Sequence, residues 1–273
     1  MDLRRVLSYV RRAVDDYNMI EDGDRIAVGI SGGKDSLTLV AGLAAIRRFY
    51  PKRYEVMAIT VDMGFEGGSD FSEIEAFCRE LDVPYHVVKT DIYNIIFNIR
   101  KEKSPCALCS KMRRGVLHNT ARDLGCNVVA LGHHQDDVID TFMLNLFYEG
   151  RIGCFEPVSY LSRAGVKVIR PLLYMPEKSV IYFTNKNQLP VYKSPCPADG
   201  YTQRAEVGNF LRTMEKHSPG LRYRIFGAIQ RGNVDGFHPV NLEPHSSKRK
   251  KEAIQKSAEE SAVSPVIEET KDE

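Results

Sequence analysis

A chain of 273 residues, 43% apolar and 27% charged, can bury a full core in one or two domains and has the make-up of an ordinary globular protein. Charges interrupt each apolar run before it reaches the length of a membrane span, and the arginine-bearing start leads into no signal-peptide core, so no membrane partner and a cytoplasmic location are expected. The net charge of +2 is too small to demand a nucleic-acid partner by itself.

Taken in chain order, Leu3, Val6, Leu7, Val10, Val14 and Tyr17 recur at helical spacing, with arginines opposite. This predicts an amphipathic helix over residues 3–20 that docks on the body and ends at Asp22-Gly23. A strand from Ile26 to Ile30 follows, then a short glycine-bearing loop and a helix from Ser36 to Phe49. Tyr54 to Val61 reads as a strand, Phe71 to Leu81 as a helix and Tyr85 to Val88 as a strand. After a cysteine-containing segment come a strand from Asn127 to Leu131 and a helix from Asp136 to Phe147. Val166 to Ile169 is the last strand expected, and helices follow over 176–187, 202–217 and 221–230. The strands are apolar almost throughout, as in a parallel sheet covered on both faces. Repeated strand–helix–strand order therefore predicts an α/β, doubly wound sheet of Rossmann-like type, with ligands outside the carboxyl ends of its strands. The parts are a docking helix (1–22), a doubly wound domain that includes the cysteine segment (23–175), a helical part (176–240) and a tail (241–273). From about Ser246 the sequence lacks aromatic residues and is too polar to fold, so disorder is expected.

The loop Ser31-Gly32-Gly33-Lys34-Asp35-Ser36 lies between strand and helix, where bare N–H groups and the helix dipole favour a phosphate. Gly32 and Gly33 are expected to turn at positive φ and to bring the backbone close to the anion. A Walker A loop fails twice: Val28 stands in place of its first glycine and Asp35 in place of its hydroxyl residue. Asp62, at another strand end, suits Mg²⁺ or ribose, or simply caps a turn. Gly132-His133-His134-Gln135-Asp136-Asp137 closes the next strand; its adjacent carboxylates suit Mg²⁺ held against phosphates, whereas the bland alternative has Asp136 capping the helix. Neighbouring histidines in a loop rarely converge on one ion, which argues against zinc there.

Six cysteines in such a chain are not a disulfide framework. Cys78, Cys126 and Cys154 stand singly among apolar neighbours, as buried thiols do. Cys106 and Cys109 are spaced to face one point, next to Arg113, Arg114 and an expected helix start, which should favour thiolates. Cys196 sits between Pro195 and Pro197. Three thiols with an open fourth position suit an iron–sulfur cluster; zinc completed by a histidine, or a pair cycling through persulfide and disulfide, are the alternatives. Two basic groups, Arg47, Arg48, Lys52 and Arg53, and Lys101, Lys103, Lys111, Arg113 and Arg114, either hold a polyanion or are solvated faces.

The Ser31–Ser36 loop resembles the PP-loop of the N-type ATP pyrophosphatases. Together with Cys106-Ala107-Leu108-Cys109, Arg113-Arg114-Gly115, Gly132–Asp137, Arg170-Pro171-Leu172 and Cys196, it resembles the tRNA 2-thiocytidine synthetases (TtcA-like sulfurtransferases) over roughly residues 20 to 232. The resemblance implies ATP-dependent thiolation of tRNA, with ATP, Mg²⁺ and a 4Fe–4S cluster on Cys106, Cys109 and Cys196. It further implies ATP contacts at Gly29, Ile30, Ser31, Gly32, Gly33, Lys34, Asp35, Ser36, Thr60, Asp62, Gly132, His133, Asp136 and Asp137. Lys34 would steady phosphate charge; Asp35, Asp136 and Asp137 would bind metal or handle protons; Arg113 would meet the adenylated base or phosphate. Arg204, Arg212, Arg222 and Arg224 would grip RNA phosphates. Sulfide or a desulfurase-derived persulfide would be the sulfur donor, and a homodimer is suggested. Related 2-thiouridine enzymes usually carry zinc-binding cysteine pairs at both ends; residues 1–77 and 197–273 have none, which favours cytidine. Pro197-Ala198-Asp199 follows Cys196 where many relatives have a second cysteine. Two rival readings are a PP-loop ligase with a nitrogen nucleophile and a thiol- or metal-bearing nucleotide-binding module without turnover.

Overall fold

The computed structural model describes residues 3–102, 105–192, 195–196 and 203–239; the expected disordered tail and Lys103 lie outside them. The apolar runs form one six-stranded sheet built from β1 (Asp24–Gly29), β2 (Tyr54–Asp62), β3 (Tyr85–Lys89), β4 (Val128–Ala130), β5 (Val158–Leu161) and β6 (Val166–Ile169). Its order is β3-β2-β1-β4-β6-β5, parallel except for β5 on the edge. From β1 the chain moves outward through β2 to β3, then returns to lay β4 on the other side. The crevice at the carboxyl ends of β1 and β4 is thus the switch point where such sheets receive ligands.

Alternation along each strand splits the core into two layers. Ile26, Val28, Ala58, Val128 and Ala130 face α1 (Leu3–Asp16), α2 (Lys34–Ile46) and the helices near the C-terminus. Ala27, Ile59, Val129 and Val168 face Leu117 and Ala121 of a helix on the opposite side. The amphipathic α1 seats Val6 and Val10 over Gly42 of α2, where a Cβ would lie 3.1 Å from Val10. It ends at Asp16, earlier than the expected residue 20, because Asn18 turns to φ 46.

α3 (Ser72–Glu80) follows β2. A π-helical turn (Asn94–Ile99), which was not expected, and α4 (Pro105–Asp123), whose start at the cysteines was, occupy the cysteine segment. α5 (Gln135–Tyr148) leads to the β5–β6 hairpin, of which β5 was not expected. The last three helices are α6 (Glu177–Lys186), α7 (Gln203–His217) and α8 (Leu221–Arg231), and α7 and α8 pack back on α5. Among the described residues no helix is long and apolar enough to cross a membrane.

Candidate active site

Beyond β1 the chain turns through Ser31, Gly32 and Gly33 into α2. Gly32 has φ +81, and a Cβ there would lie 2.7 Å from Tyr192 Cβ, so both conformation and space demand glycine. Gly33 departs from expectation: at φ −75 and ψ 158 it is extended and opens α2. Ser36 fastens the loop, its hydroxyl donating to Gly33 O at 2.9 Å and accepting from Ser31 N at 3.3 Å. No side chain caps α2, which leaves its first N–H groups for a ligand.

A cavity of about 440 Å³ opens over this loop. Gly29, Ile30, Ser31, Asp35 and Ser36 form its floor. Leu131, Gly132, His133 and Asp137 line one side, Ile59 and Val61 another, and Ser110, Arg113, Arg114 and Leu117 of α4 cover it together with Arg204. Gly132 is close to the loop: a Cβ there would lie 3.0 Å from Asp35 C and 3.1 Å from Ser36 N. A larger hollow of about 840 Å³ between α2, α3 and the end of α6 is walled mostly by Ala, Leu and Phe and lies away from the strand ends.

The titratable groups are tightly linked. Lys34 Nζ lies 3.2 Å from Asp35 Oδ2 and 3.1 Å from Glu177 Oε1 and does not line the cavity. Burial opposes its charge, but the two carboxylates outweigh it and raise its pKa. Burial pushes the Asp35 carboxyl up, against the pull of His134 and Lys34. Asp35 Oδ1 is buried without a hydrogen-bond partner, 3.6 Å from His134 Nε2. His134, not Asp136, caps α5: its Nδ1 accepts from Asp137 N, and Asp137 Oδ2 accepts from His134 N at 2.9 Å. The other Asp137 oxygen holds Arg204 Nη1 at 2.9 Å. His133 stacks on Phe155, ring centres 4.8 Å apart, so the two histidines have separate tasks.

Several expected contacts fall elsewhere. Asp136 does not line the cavity. Its oxygens accept from Glu177 N at 2.7 Å and from Arg222 Nη1 at 2.8 Å, so it ties α5 to α6 and α8 instead of pairing with Asp137 around Mg²⁺. Thr60 points to the other face of β2, where its hydroxyl accepts from Tyr85 at 2.9 Å; strand alternation gives the cavity Ile59 and Val61 instead. Asp62 takes its bland role, accepting from Gly64 N at 3.1 Å in a turn. Arg222 is committed to Asp136 and Asp140, Arg224 to Ser218 and Pro219, and Arg212 to Asn209. In the first basic group Arg47 pairs with Asp82 and Lys52 donates to Ile20 O. Lys111, Arg113 and Arg114 remain exposed on α4. Ser110, Arg114 and Leu117 were not among the expected site residues; they share one face with Arg113 at helical spacing, a signal available once α4 is known.

Cys106 and Cys109 occupy the first turns of α4, and Cys109 lies close enough to Cys196 and Cys106 to feel their charges. Its thiol is pushed up by burial, which outweighs Arg113. Among the described residues no three His, Cys, Asp or Glu side chains gather as a group for a single metal ion. Burial holds Cys78 and Cys154 at about 12 and raises Cys126, as expected of structural thiols.

Sheet order, glycine loop and cavity define a PP-loop ATP-binding protein, and a family model described as the PP-loop domain matches residues 6–215. The chain is 42% identical over 229 residues to the tRNA-cytidine(32) 2-sulfurtransferase of Geotalea uraniireducens, covering 82% of this chain and 90% of that one. It is 39% identical over 244 residues to the protein of the same name from Geobacter sulfurreducens, covering 88% and 93%. Among solved structures, the U34-tRNA thiolase NcsA from Methanococcus maripaludis with its 4Fe–4S cluster superimposes with a TM-score of 0.71 at 26% identity, over 91% of this chain and 87% of that one. The chain belongs to the tRNA-cytidine 2-sulfurtransferase family, ATP-dependent transferases of the PP-loop class.

Proposed function

We propose that this chain replaces the 2-oxygen of a tRNA pyrimidine, an anticodon-loop cytidine, with sulfur. The observation that carries the reading is the position of three thiols. Cys109 is in electrostatic reach of Cys106 and Cys196 at the head of α4, and the next turns of α4 roof the PP-loop cavity. A pyrimidine 2-oxygen is a poor leaving group and needs activation. ATP on the Ser31–Ser36 loop lets that oxygen attack the innermost phosphorus; pyrophosphate departs and AMP becomes the leaving group. The uncapped first turn of α2 and the exposed Arg113 and Arg114 meet the phosphate charge from opposite walls. Lys34 joins them by releasing Glu177, a pair too exposed to hold it strongly. The unpartnered Asp35 Oδ1 fits Mg²⁺ better than Asp136, whose oxygens are taken.

The donor set at the head of α4 fits a 4Fe–4S cluster, whose thiolates bind separate irons, better than one zinc ion, which draws all its sulfurs to about 2.3 Å. Such a cluster would supply the sulfur that replaces the 2-oxygen. Cys106, Cys109 and Cys196 would hold it, next to the turns of α4 that cover the cavity. The lack of cysteine in residues 1–77 and 197–273 favours cytidine over uridine. Anaerobic reconstitution with iron and sulfide, incubation with ATP and unmodified tRNA, and nucleoside mass spectrometry test this. The wild type should yield 2-thiocytidine, and alanine at any of the three cysteines should abolish it with ATP binding intact. 2-Thiocytidine that survives all three substitutions would contradict the role of the thiols, and a nitrogen-substituted nucleoside formed in its place would point to a nitrogen-nucleophile ligase.

A further inference from the structure

Beside the cavity lie three buried nitrogens without partners: Arg170 Nε, His118 Nε2 and His133 Nδ1. They lie on the elements around the β4–β6 end of the site. Arg170 directly follows β6, His133 follows β4, and His118 is the neighbour of cavity-lining Leu117 on α4. Arg170 and His118 are each only 9% exposed. Both imidazoles feel the charge of Arg170. Phe155 fixes the arrangement, with the His133 ring 4.8 Å away and the Arg170 guanidinium 5.0 Å from the same ring. Arg170 Nη1 is anchored on Glu156 O. Each such atom left dry costs about 1–3 kcal/mol, so three together call for a common partner.

The donor set selects that partner. Arg170 Nε–H can only donate. Burial, with Arg170 adding to it, lowers the pKa of His133 to about 4, and burial with Arg114 and Arg170 lowers that of His118, so each ring offers a lone pair. A cation is repelled by the guanidinium, and an anion would face two lone pairs. Water matches all three, accepting from the arginine and donating to both imidazoles.

We propose that an internal water held by Arg170 Nε, His118 Nε2 and His133 Nδ1 fixes His133 as the Nε2–H tautomer and turns that N–H on a phosphoryl oxygen of the bound nucleotide. His133 lines the cavity while its Nδ1 is shut away, so the edge it presents carries Nε2. The hydrogen bond on one imidazole nitrogen decides where the proton of the other points. His133 then touches substrate, and Arg170 and His118 are positioning residues. The phosphate contact rests on the function proposed above; the tautomer does not.

Long-range proton–nitrogen NMR of the full chain with labelled histidine reads this directly. At neutral pH the wild type should show His133 protonated on Nε2 and His118 on Nδ1, two opposite fixed tautomers. A non-hydrolysable ATP analogue should shift the His133 signal. Arg170→Met should mix the His133 tautomers and weaken analogue binding about tenfold or more, and Arg170→Lys, which keeps a donor, should restore much of both. A His133 protonated on Nδ1 in the wild type, or averaged between tautomers, overturns the proposal even if no variant folds. The measurement needs neither tRNA nor sulfur, so it fails or succeeds independently of the thiolation assay.

Discussion

Gly132 carries no side chain because the PP-loop backbone passes directly beneath it. Gly132→Ala brings a methyl to 3.0 Å from Asp35 C, an immovable neighbour, whereas the nearest atom at Gly29 is the mobile Leu117 Cδ2, at 2.7 Å. Gly132→Ala should therefore cost about 1–3 kcal/mol and weaken ATP binding more than Gly29→Ala does, as urea unfolding and nucleotide titration will read. His133 makes a separate prediction. Its pKa falls from 6.5 to about 4, so between those values the unfolded chain takes up a proton that the folded chain refuses. Stability should decline by roughly 3 kcal/mol as pH drops through that window, and His133→Gln should flatten the decline in pH-dependent unfolding. Residue types and their order revealed most of the loop in the sequence: Ser31, Asp35, Ser36, Gly132 and Asp137 all line the cavity. Their individual tasks were hidden, because which carboxylate caps, which pairs and which faces the ligand depends on arginines brought in from α7 and α8.

At the scale of elements, strands were legible because parallel strands buried on both faces leave continuous apolar runs. β5 was not: it is a short edge strand with Tyr160 70% exposed, and nothing in its composition separates it from a loop. The start of α4 was expected at the cysteines, but its extent was hidden because it divides its apolar residues between two layers. Leu117 and Ala121 face the sheet, and Leu108, Met112 and Val116 pack against Ile92 and Ile96 around the π turn, so no single stripe stands out. The C-terminal helices are fastened to α5 by Arg222, 2.8 Å from Asp136 and 3.3 Å from Asp140. Arg222→Met strands both carboxylates. It should lower stability by about 2–4 kcal/mol in urea unfolding, and Arg222→Lys should recover part of the loss.

At the scale of the whole molecule, the switch point of the sheet holds the PP-loop cavity, and Cys106 and Cys109 stand at the head of the helix whose next turns cover it. The net charge of +2 does not register this local polarity: Arg113 and Arg114 stand exposed in the cavity lining, while Arg47 and Arg222 are paired with carboxylates. RNA affinity should accordingly come from few contacts close to the chemistry. The proposed chemistry adenylates the pyrimidine oxygen at this cavity and then displaces it with sulfur. Unmodified tRNA carrying heavy oxygen at the cytidine 2-position, turned over once by the reconstituted protein, tests it most directly. The label should appear in the phosphate of AMP; label released as water or found in pyrophosphate would contradict the account.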